Sequence, residues 1–178
     1  GSMGATVGDC TGDGLPDLFV TRFGRASLYV NTPGGLFLDS IQTSGILPLS
    51  MPYTGWGGNF LDFDNDGDLD LFIANGDPHF LRGMPPLLLE NRGDGSFRDA
   101  RAWGGPLFER PLNARGSGAW DYDNDGRLDL IITSLGERAA LWRHVGGSGY
   151  HWRTLALEGT LSKRAGLRAP VRLPHEGP

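Results

Sequence analysis

The chain has 178 residues, a formal charge of −5, and 29 Gly with 12 Pro, close to a quarter of all positions and roughly twice ordinary usage. That excludes a mostly helical protein, because Gly and Pro penalise a helix interior by about 1 and 3 kcal/mol per site. A hydrophobic content of 39 % with 10 % aromatics excludes a disordered chain. No apolar run reaches the roughly eighteen residues of a membrane span, and the single Cys10 excludes a disulfide framework and a Cys-based zinc site. Gly1-Ser2-Met3 reads as a tag remnant before a start Met, with no signal peptide behind it.

Three stretches align without gaps: DCTGDGLPDLFVT from Asp9, DFDNDGDLDLFIA from Asp62 and DYDNDGRLDLIIT from Asp121, with starts 53 and 59 residues apart. A Gly precedes each by five residues (Gly4, Gly57, Gly116), another Gly stands at the sixth position (Gly14, Gly67, Gly126), and an apolar run follows the last Asp. Downstream, Leu28–Asp39 and Leu88–Asp99 coincide at Asn31/Asn91, Gly35/Gly95, Phe37/Phe97 and Asp39/Asp99. Each is two short apolar runs around a Gly-containing turn, which predicts a β-hairpin. Leu141–Trp152 carries a blurred third version. The unit is therefore strand, acidic loop, strand, hairpin.

Four strands per unit at this period predict an all-β protein of propeller-type blades. Blade one is expected over 4–55, blade two over 56–110 and blade three over 111–157, with 158–178 belonging to something further. The alternative is a plain antiparallel sandwich with repeated turns. The run Leu69, Leu71, Phe72, Ile73, Ala74 does not alternate with polar residues, as expected of a strand covered on both faces. A full ring takes several more such units, so three read as a fragment, a partial ring, or a part that self-associates to complete the propeller.

Carboxylates at loop positions 1, 3, 5 and 9 repel one another unless a hard cation sits among them. Ca²⁺ takes six to eight oxygens at roughly 2.3–2.6 Å, whereas Mg²⁺ prefers to keep several waters. Up to three Ca²⁺ sites are predicted, each with a backbone carbonyl from position 7. Site two uses Asp62, Asp64, Asp66, the Asp68 carbonyl and Asp70. Site three uses Asp121, Asp123, Asp125, the Arg127 carbonyl and Asp129. Site one uses Asp9, Thr11, Asp13, the Leu15 carbonyl and Asp17, and is predicted to be the weakest because Thr11 replaces a carboxylate. The alternative is Asx-rich turns without metal. An EF-hand is excluded, because its twelfth position needs a bidentate Glu and here holds Val20, Ile73 and Ile132.

These loops and the strands after them resemble FG-GAP/VCBS repeats, the calcium-binding blades of integrin α-subunit propellers and many secreted bacterial proteins, over roughly residues 4–157. The resemblance implies Ca²⁺ in the loop between the first two strands of each blade, on the positions just named. His151–Leu173 is similar to the start of the ASPIC/UnbV domain found in cartilage-acidic-protein-like and enediyne-cluster proteins. Trp152, Leu157, Gly159, Ser162, Arg164, Ala169 and Val171 match it, while Lys163 and Arg168 depart from it.

Other features read as structural. Arg92-Gly93-Asp94 sits where a hairpin turn is predicted. His79, His144, His151 and His175 are scattered, and no catalytic motif is visible. The Lys and Arg residues after Arg138 read as a solvated face, without a nucleic-acid motif beside them. Trp120 and Trp142 are expected in the core, and Trp103 is the exposed candidate for stacking a sugar. The expected function is a calcium-binding module for adhesion or ligand recognition, outside the cell or in the periplasm, where millimolar calcium fills even weak sites. Its partner is a protein, glycan or small molecule. The alternative is part of a calcium-dependent natural-product enzyme using a pocket of the propeller.

Overall fold

The computed structural model describes residues 1–79 and 82–146. Eleven strands run in chain order: β1 (Ser2–Gly8), β2 (Asp17–Arg22), β3 (Ser27–Asn31), β4 (Phe37–Asp39), β5 (Gly55–Leu61), β6 (Asp70–Asn75), β7 (Leu87–Asn91), β8 (Phe97–Asp99), β9 (Ala114–Trp120), β10 (Asp129–Ser134) and β11 (Ala140–Trp142). Among the described residues they form three antiparallel sheets, ordered β1-β2-β3-β4, β5-β6-β7-β8 and β9-β10-β11. The repeated unit is thus one up-and-down sheet. The second half of the hairpin expected within Leu141–Trp152 lies outside the described residues.

Two short helical pieces were not anticipated: α1 (Ile46–Ser50), after sheet one, and a 3-10 turn at Pro106–Glu109, after sheet two. Each packs into a joint between sheets, with Ile46 fully buried in the first joint and Leu107 and Phe108 buried in the second. Strand β1 begins at Ser2, which pairs with Arg22.

The sheets stack face to face through two apolar clusters. The joint between sheets one and two contains Phe19, Leu28, Ile41, Ile46, Leu71, Ile73, Leu87, Leu89 and Phe97. The joint between sheets two and three contains Leu61, Phe72, Ala74, Leu88, Leu107, Phe108, Leu130 and Ile132. Every residue of β6 is buried. Leu71 and Ile73 point to one neighbour, and Phe72 and Ala74 to the other, which is why this strand shows no polar alternation.

The equivalent strands of sheets one and three have only one covered face. In β2 buried and half-buried positions alternate, and in β10 Leu130 and Ile132 are buried while Thr133 is exposed. The array is open, and its outer faces remain apolar. Phe37 is 51 % exposed although its counterpart Phe97 is buried. Trp120, expected in the core, is 42 % exposed, whereas Leu61 at the same register is buried. The correction has a simple cause: no described sheet covers the face on which Trp120 stands.

The first strands converge, β1 packing on β5 and β5 on β9. This convergence explains the Gly placed five residues before the first and second acidic loops. A Cβ on Gly4 would lie 2.5 Å from the Trp56 carbonyl oxygen, and one on Gly57 would lie 2.5 Å from Ser117 Oγ and 2.7 Å from its nitrogen. Two hydrogen bonds cross the same joints, from Thr21 Oγ1 to the Trp56 carbonyl at 3.0 Å and from Ser117 Oγ to Asn59 Oδ1 at 2.6 Å. Gly57→Ala should therefore destabilise the chain by about 1–3 kcal/mol through overpacking, measured by urea unfolding. Gly34→Ala, in a turn with open space around it, should change stability by less than about 0.5 kcal/mol.

Candidate metal centre

Each acidic loop joins the first strand of a sheet to the second, and all three fold alike. The first Asp turns back on its own loop. One oxygen of Asp9, Asp62 and Asp121 accepts the N–H of position five at 3.2, 3.1 and 3.0 Å. The other accepts the N–H of the Gly at position six at 2.7, 3.1 and 2.9 Å. At position five, Asp13, Asp66 and Asp125 accept the N–H two residues on, at 2.8, 2.9 and 3.0 Å.

Position nine does something different. Asp17, Asp70 and Asp129 are buried, at 0, 2 and 1 % exposure. One oxygen of each accepts the N–H of position two, from Cys10, Phe63 and Tyr122 at 3.0, 2.9 and 3.1 Å. The other reaches the third strand or the residues just after it, accepting the N–H of Asn31, Asn91 and His144 at 2.8, 2.8 and 2.7 Å. Asn31 and Asn91 also donate from their side chains to the carbonyls of position eight, Pro16 and Leu69. Asn91 reaches further, donating to the Cys10 carbonyl of loop one at 2.8 Å and so tying loop one to sheet two.

Sequence reasoning singled out the Gly at position six but missed position four. Gly12, Asn65 and Asn124 have φ of 72°, 60° and 59°, in the left-handed region. Asn is among the few non-Gly residues that tolerate it, so the Asn-Asp-Gly run was the available signal. Each loop thus takes two left-handed residues, at positions four and six, which curl its backbone around the acidic side chains.

The structure gathers some of the predicted carboxylates and not others. Oxygens of Asp62, Asp64 and Asp70 lie within 4.8 Å of one another, as do those of Asp121, Asp123 and Asp129. These are positions one, three and nine, and each set can hold a metal ion. Among the described residues no such group forms in loop one, where position three is Thr11 and its Oγ1 is buried without a hydrogen-bond partner. Asp66 and Asp125, at position five, fall outside the groups.

Loops two and three differ in charge balance. In loop two, no ion pair with Lys or Arg is formed among the described residues. Burial, opposed by the N–H groups of Asn91 and Phe63 and reinforced by Asp64 and Asp66, pushes Asp70 up from an ordinary 3.8 to about 7. Burial and neighbouring carboxylates raise Asp62, Asp64 and Asp68 as well. In loop three, Arg143 Nε sits 2.7 Å from Asp123 Oδ2, while Arg127 and Arg143 reach Asp125 Oδ2 at 2.6 and 3.3 Å. There burial works upward on Asp125 but is outweighed by the Arg127 N–H and guanidinium and by Arg143, which hold it below its ordinary value. Arg143, read from the sequence as part of a solvated basic face, is instead a counter-ion. Asp123 Oδ1 is buried and has no hydrogen-bond partner among the described residues. All the gathered donors are hard carboxylate oxygens, and with this unpartnered oxygen they fit a hard dication.

The remaining candidates are resolved one by one. Arg92-Gly93-Asp94 is turn structure: Arg92 N–H donates to the Ser96 carbonyl, Asp94 Oδ1 accepts from Ser96, and Gly93 and Gly95 have positive φ. Trp56 donates to the Gly76 carbonyl and lies 4.2 Å beneath the Arg115 guanidinium. Trp103 is 58 % exposed. His151, Trp152, His175 and the ASPIC/UnbV-like stretch lie outside the described residues.

Up-and-down sheets stacked through their first strands, each with an Asp-rich loop between strands one and two, define an incomplete propeller of acidic-loop repeats. A family model described as an FG-GAP-like repeat matches twice, over residues 9–73 and 62–132, and the chain belongs to that family. Each match runs from one acidic loop into the strand that follows the next acidic loop. Neither match reaches the stretch from His151. A comparison with curated proteins finds no match.

Two outcomes test the loop geometry. With divalent ions chelated, Asp17→Ala should cost about 1–3 kcal/mol, because it leaves the Cys10 and Asn31 N–H groups without acceptors, and Asp17→Asn should cost less; urea unfolding reads both. The pH dependence has a definite sign. A carboxyl raised from 3.8 to about 7 in the fold binds its proton more tightly folded than unfolded, so stability of the chelated protein should fall as pH rises from about 4 to about 7. A midpoint that rises through that window contradicts the uncompensated charge of loop two.

Proposed function

We propose that this chain is a calcium-stabilised scaffold module that presents a propeller-type surface for recognition outside the cytosol. The observation that carries the reading is the repeated gathering of three carboxylates in loops two and three, with loop two forming no ion pair with Lys or Arg among the described residues. Asp62, Asp64 and Asp70 would hold one ion, with Asp66 and the Asp68 carbonyl as further donors. Asp121, Asp123 and Asp129 would hold another, with Asp125 and the Arg127 carbonyl. Loop one, with Asp9, Asp13 and Asp17 but Thr11 at position three, offers the poorest donor set. The ion, when bound, supplies positive charge among carboxylates that otherwise repel one another.

The chain's own residues prepare the sites. The backbone N–H groups around positions one and nine hold those carboxylates in place before any ion arrives, so little ordering is needed on binding. Because the donors come together only in the folded loop, calcium stabilises by RT ln(1 + [Ca²⁺]/Kd). Sites of modest affinity are filled at extracellular calcium levels, which supports a location outside the cytosol. No helix among the described residues is long and apolar enough to cross a membrane.

A thermal melt with calcium and with chelator tests the reading: calcium should raise the midpoint and chelator should reverse the rise. Asp64→Ala should remove more of that rise than Asp13→Ala. Arg143→Gln should tighten calcium binding by loop three, read by calorimetry, since the ion no longer competes with a guanidinium for Asp123. No calcium-dependent shift in the wild-type chain would overturn the assignment.

A further inference from the structure

A cavity of about 510 Å³ opens at the joint between sheets two and three. Its walls are mainly apolar and aromatic, with Leu61, Phe63, Leu88, Phe108, Leu130 and Trp142 among them, and the exposed Trp103 also lines it. Two polar atoms of lining residues are buried without a hydrogen-bond partner among the described residues, Nε1 of Trp142 and Nδ1 of His144. The His144 ring is stacked on Phe63 at 4.7 Å, with only 8° between the planes. Its backbone N–H is held by Asp129, so its ring position follows from the fold of loop three.

An unpaired buried indole N–H costs free energy comparable to a lost hydrogen bond, and native structures rarely leave one without an acceptor. Here two such groups border one space of ligand size. Sites for small molecules combine mostly apolar walls with a few convergent polar groups, in volumes of roughly 300–1,000 Å³. The charged residues of the wall are already engaged or repel anions. Arg143 is paired with Asp123 and Asp125, and Asp64 belongs to the carboxylate group of loop two.

We propose that this cavity is a binding site for a neutral, ring-bearing small molecule whose carbonyl oxygen accepts the Trp142 Nε1–H. The flat ring lies among the aromatic walls, and Nδ1 of His144 offers the second polar contact. This assignment uses no metal ion, so it stands or falls separately from the calcium reading.

The test titrates the full chain with prodan, a neutral naphthyl ketone whose emission shifts to the blue in apolar surroundings. The expected result is saturable one-to-one binding with a blue shift and a displaced indole N–H resonance for Trp142. Trp142→Phe keeps a ring but removes the donor, and should weaken binding by roughly 2- to 12-fold, the worth of one hydrogen bond. Trp103→Ala, at an exposed position, should weaken binding while leaving the melting midpoint unchanged. Absence of saturable binding overturns the proposal. So does saturation that leaves the Trp142 indole resonance unmoved, or an affinity that neither variant alters.

Discussion

Everything in this fold hangs on the buried carboxylate that closes each acidic loop. Asp17, Asp70 and Asp129 are removed from water, and both oxygens of each are taken up by backbone N–H groups from two different parts of one sheet. One N–H comes from the second loop residue, just past the first strand, and the other from the third strand or just beyond it, while the Asp itself opens the second. A single side chain therefore sets the spacing of three strands at one end of the sheet. Burying a charge without such partners is costly, so the aspartate and the loop geometry require each other.

The stacking of sheets decides how the same local pattern is expressed. The strands β2, β6 and β10 follow similar acidic loops and carry similar apolar runs, yet only β6 is buried throughout. It lies between two neighbours, so both of its faces are core. In sheets one and three Phe19, Leu130 and Ile132 are buried against sheet two, while Leu18, Val20, Ile131 and Thr133 stay half-buried or exposed. Trp120 and Phe37 show the consequence, since each has an exact counterpart that is buried one sheet away.

Electrostatics separates loops that look alike on paper. Asp62–Asp70 and Asp121–Asp129 have the same acidic residues at positions one, three, five and nine. In loop two burial, reinforced by repulsion between neighbouring carboxylates, raises the proton affinity of Asp62, Asp64 and Asp70. Loop three draws Arg143 from β11's C-terminal side and Arg127 from within, and these offset the repulsion at Asp123 and Asp125. The guanidinium of Arg143 thus occupies carboxylate oxygens of loop three that in loop two are left without an ion pair among the described residues.

Read from the residues alone, the repeat, its antiparallel strands, the Gly-bounded acidic loops and the double covering of β6 were all legible. These follow from local periodicity and turn chemistry, which act over a few residues. The requirement for Gly at positions 4 and 57 was visible as a pattern, but its cause, the approach of β1 to β5 and of β5 to β9, needed the stacked sheets. The pairing of Arg143 with Asp123, the exposure of Trp120 and the cavity beside Trp142 and His144 belong to tertiary structure alone. Each depends on which surfaces meet across a joint between sheets, and no short-range sequence rule records what lies on the other side of a joint.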